Sequence, residues 1–224
     1  SLKEHLFIHI WFDDEWLESK SIIDKCPDMV RIPLHDSGDK ALHLAVREGK
    51  GGIVNELVKL MRPEDMLILN SDGDTALHLA VKIGRGGMVR KLVKVMRPED
   101  MLILNSSGDT TLHLAVKIER KDMVNELVNC ISPEDMLPNS SGDTALHLAL
   151  KRDSLEILNE LVSRMRPEDM LIPNSDGMLP VHLVALYRSN RSIMDILSSQ
   201  KVLDKMDFKD IERLFMMTIR YDMF

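Results

Sequence analysis

The chain is poor in aromatic residues: two tryptophans, two tyrosines and five phenylalanines in 224 positions. A core built mainly from rings is therefore excluded, and the 44% apolar content has to pack as aliphatic side chains. Cysteine is scarcer still. Only Cys26 and Cys130 occur, too few for a disulfide framework. Positive charge is in deficit, with 29 Lys and Arg against 36 Asp and Glu, a net −7. That balance argues against nucleic acid as a partner, because binding it requires a basic face that displaces counterions. No apolar run reaches about 18 residues, so no segment reads as a bilayer-spanning helix and no membrane contact is expected of this stretch itself. Leu6 to Phe12 is too short for a leader and is interrupted by His9.

What is abundant is repetition. Asn70-Ser71-Asp72-Gly73-Asp74-Thr75-Ala76-Leu77-His78-Leu79-Ala80-Val81 returns from Ser107 to Val116 and from Ser141 to Leu150. An earlier copy runs from Ser37 to Val46, and a decayed one from Asp176 to Ala185. The glycines at 38, 73, 108, 142 and 177 are spaced 35, 35, 34 and 35 residues apart. A fixed period of this length is the mark of a solenoid, in which each unit buries its apolar face only against its neighbours. Gly-Asp-Thr-Ala-Leu-His-Leu-Ala resembles the ankyrin signature Gly-x-Thr-Pro-Leu-His-x-Ala, with alanine or threonine in place of proline in the fuller copies. The resemblance implies an all-α solenoid of stacked helix pairs joined by tight turns.

Within each repeat the residues follow one plan. Gly73 suits the positive φ of a tight turn, and Thr75 stands where a helix N-cap oxygen is wanted. Leu77 and Ala80 are expected to face inward. Gly84-Arg85-Gly86-Gly87 breaks the first helix, and Met88, Val89, Leu92, Val93 and Met96 recur at the spacing of a buried helical stripe. Arg62-Pro63-Glu64-Asp65-Met66-Leu67 recurs at 97–102 and 166–171, and as Ser132 to Leu137. Proline followed by acids predicts a short helical turn there. These linkers, with Cys26-Pro27-Asp28-Met29-Val30 and the run Leu179 to Tyr187, are similar to those of plant ankyrin proteins that carry a C-terminal membrane region, the accelerated-cell-death and salt-tolerance type. That narrower resemblance implies stress or immune signalling on the cytoplasmic side, with a membrane anchor beyond Phe224.

The expected units lie near 1–36, 37–70, 71–105, 106–139, 140–174 and 175–204, followed by the start of a further unit at 205–224. The first is divergent: Glu4 to Phe12 and Glu15 to Lys25 read as helices around an Asp13-Asp14 turn. Phe7, Trp11, Phe12 and Trp16 either close the open end of the core or anchor something outside it. In the last recognisable unit Met178 and Leu179 replace Asp and Thr, which weakens its cap. Lys209 to Met223 reads as one more helix, with Ile211, Leu214, Phe215 and Ile219 on one face; no second helix and no polar cap follow it, so a longer protein is expected.

Several chemical motifs fall away on spacing. Neighbouring repeats sit about 10 Å apart, whereas metal–nitrogen bonds are about 2 Å, so His43, His78, His113, His147 and His182 cannot share an ion. In the resembled family this histidine is structural. His5 and His9 stand four residues apart but lack a further ligand. Gly49-Lys50-Gly51-Gly52 and Gly84 to Gly87 lack the spacing and the preceding strand of a phosphate-binding loop. By the same repeat spacing Cys26 and Cys130 are too distant to join, which suits a reducing compartment. No Ser-His-Asp or Cys-His set stands out, so no catalysis, metal or cofactor is expected. The sequons at Asn105 and Asn139 are part of the repeated turn, and a third stands at Asn190.

What remains is a surface for another protein or peptide. Ankyrin proteins commonly bind on their concave side, at turn tips and first helices. Carried over, that gives the turn residues Asp39, Asp74, Asp109 and Asp143. The helix residues are Arg47, Glu48, Lys82, Ile83, Lys117, Ile118, Lys151, Arg152, Leu186 and Tyr187. The acidic and basic rows either screen each other or line a ligand groove, in which Ile83, Ile118, Leu186 and Tyr187 supply apolar contact. The alternative function is a self-assembling scaffold that uses terminal or convex surfaces.

Overall fold

The repeated stretch folds the same way each time, and the reason is local. In the computed structural model, which describes residues 1–11, 16–187, 195 and 197–220, the chain forms helices, 3₁₀ turns and tight turns. The helices, numbered in chain order, are α1 (Leu2–Trp11), α2 (Trp16–Lys25), α3 (Ala41–Arg47), α4 (Gly51–Leu60), α5 (Ala76–Lys82), α6 (Gly86–Val93) and α7 (Thr111–Lys117). Then come α8 (Lys121–Val128), α9 (Ala145–Lys151), α10 (Leu155–Arg164), α11 (Pro180–Tyr187), α12 (Gln200–Leu203) and α13 (Phe208–Arg220). They gather into two compact units, Ser1–Leu114 and Ala115–Phe224.

In the first unit Gly73 takes φ +68°, and a Cβ added there would lie 2.7 Å from the Ser106 amide nitrogen. Glycine thus serves both the turn and the close approach of the next one. Asn70 buckles the turn: its Oδ1 accepts from the amides of Asp72 and Asp74, each at 3.0 Å. Its Nδ2 donates to Asp39 Oδ1 in the preceding turn at 2.8 Å, and Asn105 does the same to Asp74 at 2.8 Å. The Asn105 amide is therefore buried and occupied, so its sequon belongs to the fold.

Thr75 then starts α5. Its Oγ1 accepts from the His78 amide at 3.3 Å, while His78 Nδ1 accepts from the Thr75 amide at 3.2 Å. Two N–H groups that a helix start leaves without partners are satisfied reciprocally. Leu77 and Ala80 are fully buried, as are Leu42 and Ala45 one repeat earlier. The helix ends at Gly84, φ +72°, and α6 begins two residues later, burying Met88, Val89, Leu92 and Val93. Within this unit α3 packs on α4 and α5, α5 on α6, and α4 on α6.

The second unit repeats the scheme with α9 on α10 and α11, α8 on α10, and α11 on α13. Its cap at α9 is Thr144, while α11 lacks one: Leu179 has no side-chain acceptor, and only its amide reaches His182 Nδ1, at 3.1 Å. The linkers are 3₁₀ turns at Pro63–Leu67, Pro98–Leu102, Pro133–Asp135 and Pro167–Leu171, with an earlier one at Pro27–Arg31. In two of them the carboxylate folds back on the arginine that opens the turn. Arg97 Nη2 lies 2.8 Å from Asp100 Oδ1, and Arg166 Nη2 lies 2.9 Å from Asp169 Oδ1. Asp65 accepts the Arg62 amide at 3.0 Å and also receives Arg31 Nε at 2.7 Å, joining two linkers of the first unit.

The termini depart from expectation in detail. Helix α1 starts at Leu2 rather than Glu4, and it buries Leu6 and Ile10 while Phe7 and Trp11 remain partly exposed. The rings stack beside the core instead of closing it: Phe7 and Trp11 lie 5.1 Å apart, with His35 5.6 Å from Trp11. Phe12 and the expected Asp13-Asp14 turn lie outside the described residues, as do Asn190 and residues 221–224. Of the four apolar residues expected on one face of α13, only Leu214 is buried.

Candidate partner-binding face

Within each unit the first helices bring their last turns and the preceding loops together, and the acids of the repeat sit there. Asp39, Asp74, Asp109 and Asp143 are all buried, the first two with no accessible surface. This corrects the expectation that they are contact residues on turn tips. The carboxylates of Asp39, Asp74 and Asp143 point into the molecule because the Asn of a neighbouring turn and a base of their own helix both reach them. Arg47 Nε donates to Asp39 Oδ2 at 2.7 Å, Lys82 Nζ to Asp74 Oδ2 at 2.6 Å, and Lys151 Nζ to Asp143 Oδ2 at 2.6 Å. Burial alone would raise the Asp39 carboxyl, but hydrogen bonds from Asn70 and Arg47 hold it below the usual carboxylate range. Arg47, Lys82 and Lys151 are therefore occupied by the fold, and of the two meanings given to the charge rows the structure favours mutual screening.

The histidines are equally committed. His43 Nε2 donates to the Asp74 carbonyl at 2.9 Å, His147 Nε2 to Met178 at 2.9 Å, and His182 Nε2 to Asp210 at 2.9 Å. Because Nδ1 accepts a backbone N–H, the proton resides on Nε2 and the ring is neutral. Burial lowers the pKa of His43, His78, His147 and His182, with the backbone carbonyls opposing it. His78 feels the carbonyls of Ile103 and Asp109, yet its Nε2 closes no bond of good geometry. Among the described residues no group of three or more His, Cys, Asp or Glu is placed to hold a metal. Cys26 and Cys130 are free and half-buried, and burial pushes the Cys130 thiol up, away from the reactive thiolate.

What stands open is apolar. In the first unit Ile83, which closes α5, is 37% exposed. In the second, Ile118 is exposed to the same extent, Tyr187 at the end of α11 is 51% exposed, and Leu186 is half-buried. Glu48 is half-buried, and Lys117 half-buried beside Ile118. Arg152 lies 3.6 Å from Glu119 in a solvated pair. Sequence reasoning missed Leu69 and Leu104, each more than two-fifths exposed just before the buried asparagine of its turn. The recurrence of Leu67-Ile68-Leu69 as Leu102-Ile103-Leu104, in a loop where solvent should favour polar residues, was the available signal.

A family model of ankyrin repeats in three copies matches residues 20–101, 42–136 and 86–171. The chain belongs to the ankyrin-repeat family. No curated protein matches the chain. Among solved structures it resembles the ankyrin repeat domain of Bcl-3, described as a unique member of the IkappaB protein family. There the TM-score is 0.68 and the identity 20%, over 89% of this chain and 96% of that one. It also resembles EF0377, an ankyrin repeat protein, with a TM-score of 0.69 and 20% identity over 87% of this chain and 96% of that one. At such identity the likeness concerns the fold, and the all-α ankyrin solenoid is what these comparisons share. Neither the family model nor these two structures bears on the plant-type resemblance of the linkers. Among the described residues no helix is long and apolar enough to cross a membrane.

Proposed function

We propose that this ankyrin chain captures a protein or peptide on the face that the ends of the first helices and the loops before them make in each of its two units. Ankyrin repeats as a family indicate protein–protein interaction and are generally non-enzymatic. The observation that carries the finer reading is the contrast on that face: its acids are buried and its bases largely occupied, while Ile83, Ile118 and Tyr187 remain open. Binding energy then comes from desolvating apolar anchors, with Arg47, Glu48, Lys82, Lys117, Lys151, Arg152 and Leu186 framing them. The first unit offers Ile83 with Leu69 and Leu104; the second offers Ile118 with Leu186 and Tyr187. The plant-type linkers support a setting in stress or immune signalling on the cytoplasmic side of a membrane.

Ile83→Asp combined with Ile118→Asp is expected to leave the folded state intact, because both side chains already meet solvent. Partner capture should weaken by tenfold or more, about 1.4 kcal/mol. A pull-down from the native source followed by calorimetric titration of the captured protein measures this, and unchanged affinity would move the site elsewhere. Light scattering on the free chain over a range of concentrations tests the scaffold alternative, which requires mass to rise with concentration.

A further inference from the structure

The second helices carry a departure from the repeat that partner capture by the first helices does not use. Three of them read Asn-Glu-Leu-Val at the same place: Asn55 to Val58, Asn125 to Val128 and Asn159 to Val162. In α6 the same four positions are Arg90-Lys91-Leu92-Val93, with Lys94 next. The inward Leu and Val are kept, so the change falls on the other two positions, where Asn becomes Arg and Glu becomes Lys. Within a chain of net charge −7 this puts two bases on one helix where each copy has a neutral Asn and an acid.

The reversal faces a groove in the first unit. Between α4 and α6 an open groove of about 390 Å³ is lined by Asn55, Val58, Lys59, Lys91, Lys94 and Val95. Lys91 Nζ crosses it to Asn55 Oδ1 at 2.9 Å, and Lys59 Nζ pairs with Glu56 at 2.6 Å. Lys94 meets no carboxylate among the described residues. Val95 leaves 45% of its surface in water beside the half-buried Val58. Three ammonium groups over two valines match a ligand with both carboxylates and an aliphatic side chain.

We propose that the α4–α6 groove is a second docking site, for an acidic peptide segment that carries an aliphatic residue. Carboxylates of the segment pair with Lys91, Lys94 and Lys59, and its aliphatic side chain covers Val58 and Val95. The site is independent of Ile83 and of the first-helix face, so either can fail without the other.

Fluorescence anisotropy of a fluorescein-labelled peptide of repeated Glu-Glu-Leu triplets tests it on the whole chain. Binding should weaken with added salt and fall by about tenfold or more in the triple variant Arg90→Asn, Lys91→Glu, Lys94→Asn. That variant restores residues that α8 already carries in a folded repeat, and thermal unfolding should confirm that it folds. Val95→Ser should weaken the Glu-Glu-Leu peptide more than polyglutamate, and Ile83→Asp should change neither. The assignment is overturned if the triple variant binds as well as the parent, or if a Lys-Lys-Leu peptide binds equally. It is also overturned if phosphatidylserine vesicles bind through these lysines while the peptide does not, since the occupant is then a lipid surface.

Discussion

At the scale of single residues, the copies of the repeat act as natural controls for one another. Thr75 and Thr144 cap their helices through Oγ1, whereas Lys40 holds the equivalent place before α3. A lysine has only donors and cannot accept from an N-terminal amide; its Nζ instead reaches the Leu69 carbonyl at 2.6 Å. Lys40→Thr should therefore raise stability by about 0.5–1.5 kcal/mol, less whatever the Leu69 contact supplies. Urea unfolding of the two proteins measures this, and a loss of stability would show that the Leu69 contact outweighs a cap. The threonine role was legible in sequence because a cap depends on the residue and its near neighbours. The fate of Asp39, Asp74 and Asp143 was not. It depends on an asparagine about thirty positions away, and a repeated charge reads the same whether it faces water or the next turn.

At the scale of elements, the junction between first and second helix shows how the scaffold tolerates drift. Gly49 and Gly84 hold φ +74° and +72° there, but Glu119 and Asp153 occupy the same place with φ +56° and +53°. Side chains with a Cβ are strained in this left-handed region, where glycine is at ease. Glu119→Gly and Asp153→Gly are each expected to add about 0.5–1 kcal/mol, reduced by the extra freedom glycine gives the unfolded chain. Thermal melts would check this, and lowered melting temperatures would mean that side-chain contacts such as Arg152 with Glu119 compensate the strain. Helix existence was readable from periodicity in the central repeats, since Leu77, Ala80, Val89 and Leu92 announce their own burial, whereas the short α12 carries no such period. Helix ends at the termini were less so: α1 begins two residues early, because Leu2 and Lys3 carry no signal that distinguishes a first turn from a loop. The stacking of Phe7 and Trp11 on His35 joins residues with no shared period, and no local pattern foretells it.

At the scale of the whole molecule, the buried imidazoles make stability depend on pH in a definite direction. His43, His78, His147 and His182 have folded-state pKa values below the ordinary histidine range. Between each folded value and about 6.5 the unfolded chain binds more protons than the native one. Stability is thus complete above about pH 6.5 and is lost as pH falls towards the folded values, with a limiting slope of about 1.4 kcal/mol per pH unit for each histidine. Denaturation midpoints at pH 7.5, 6.5 and 5.5 should fall in that order; a flat profile would mean that burial does not hold these rings below the ordinary histidine range in the folded state. The carboxylates held low by their arginines, Asp100 and Asp169 among them, are lost only in more acidic solution and form a separate phase.

The bonds that run from one turn to the next have a consequence for how such a chain can change in length. His43 ends on the carbonyl of Asp74, and Asn70 on the carboxylate of Asp39. Excising residues 71–105 as one block would splice Asn70 to Ser106 and offer His43 the carbonyl of Asp109, an identical acceptor. Cutting a number of residues that is not a whole period would part a turn from its asparagine and leave both His43 and Asp39 without these partners. Growth and shrinkage by recombination are therefore quantised: the molecule accommodates whole periods and rejects fractions, and its gene should vary in copy number far more readily than in repeat length.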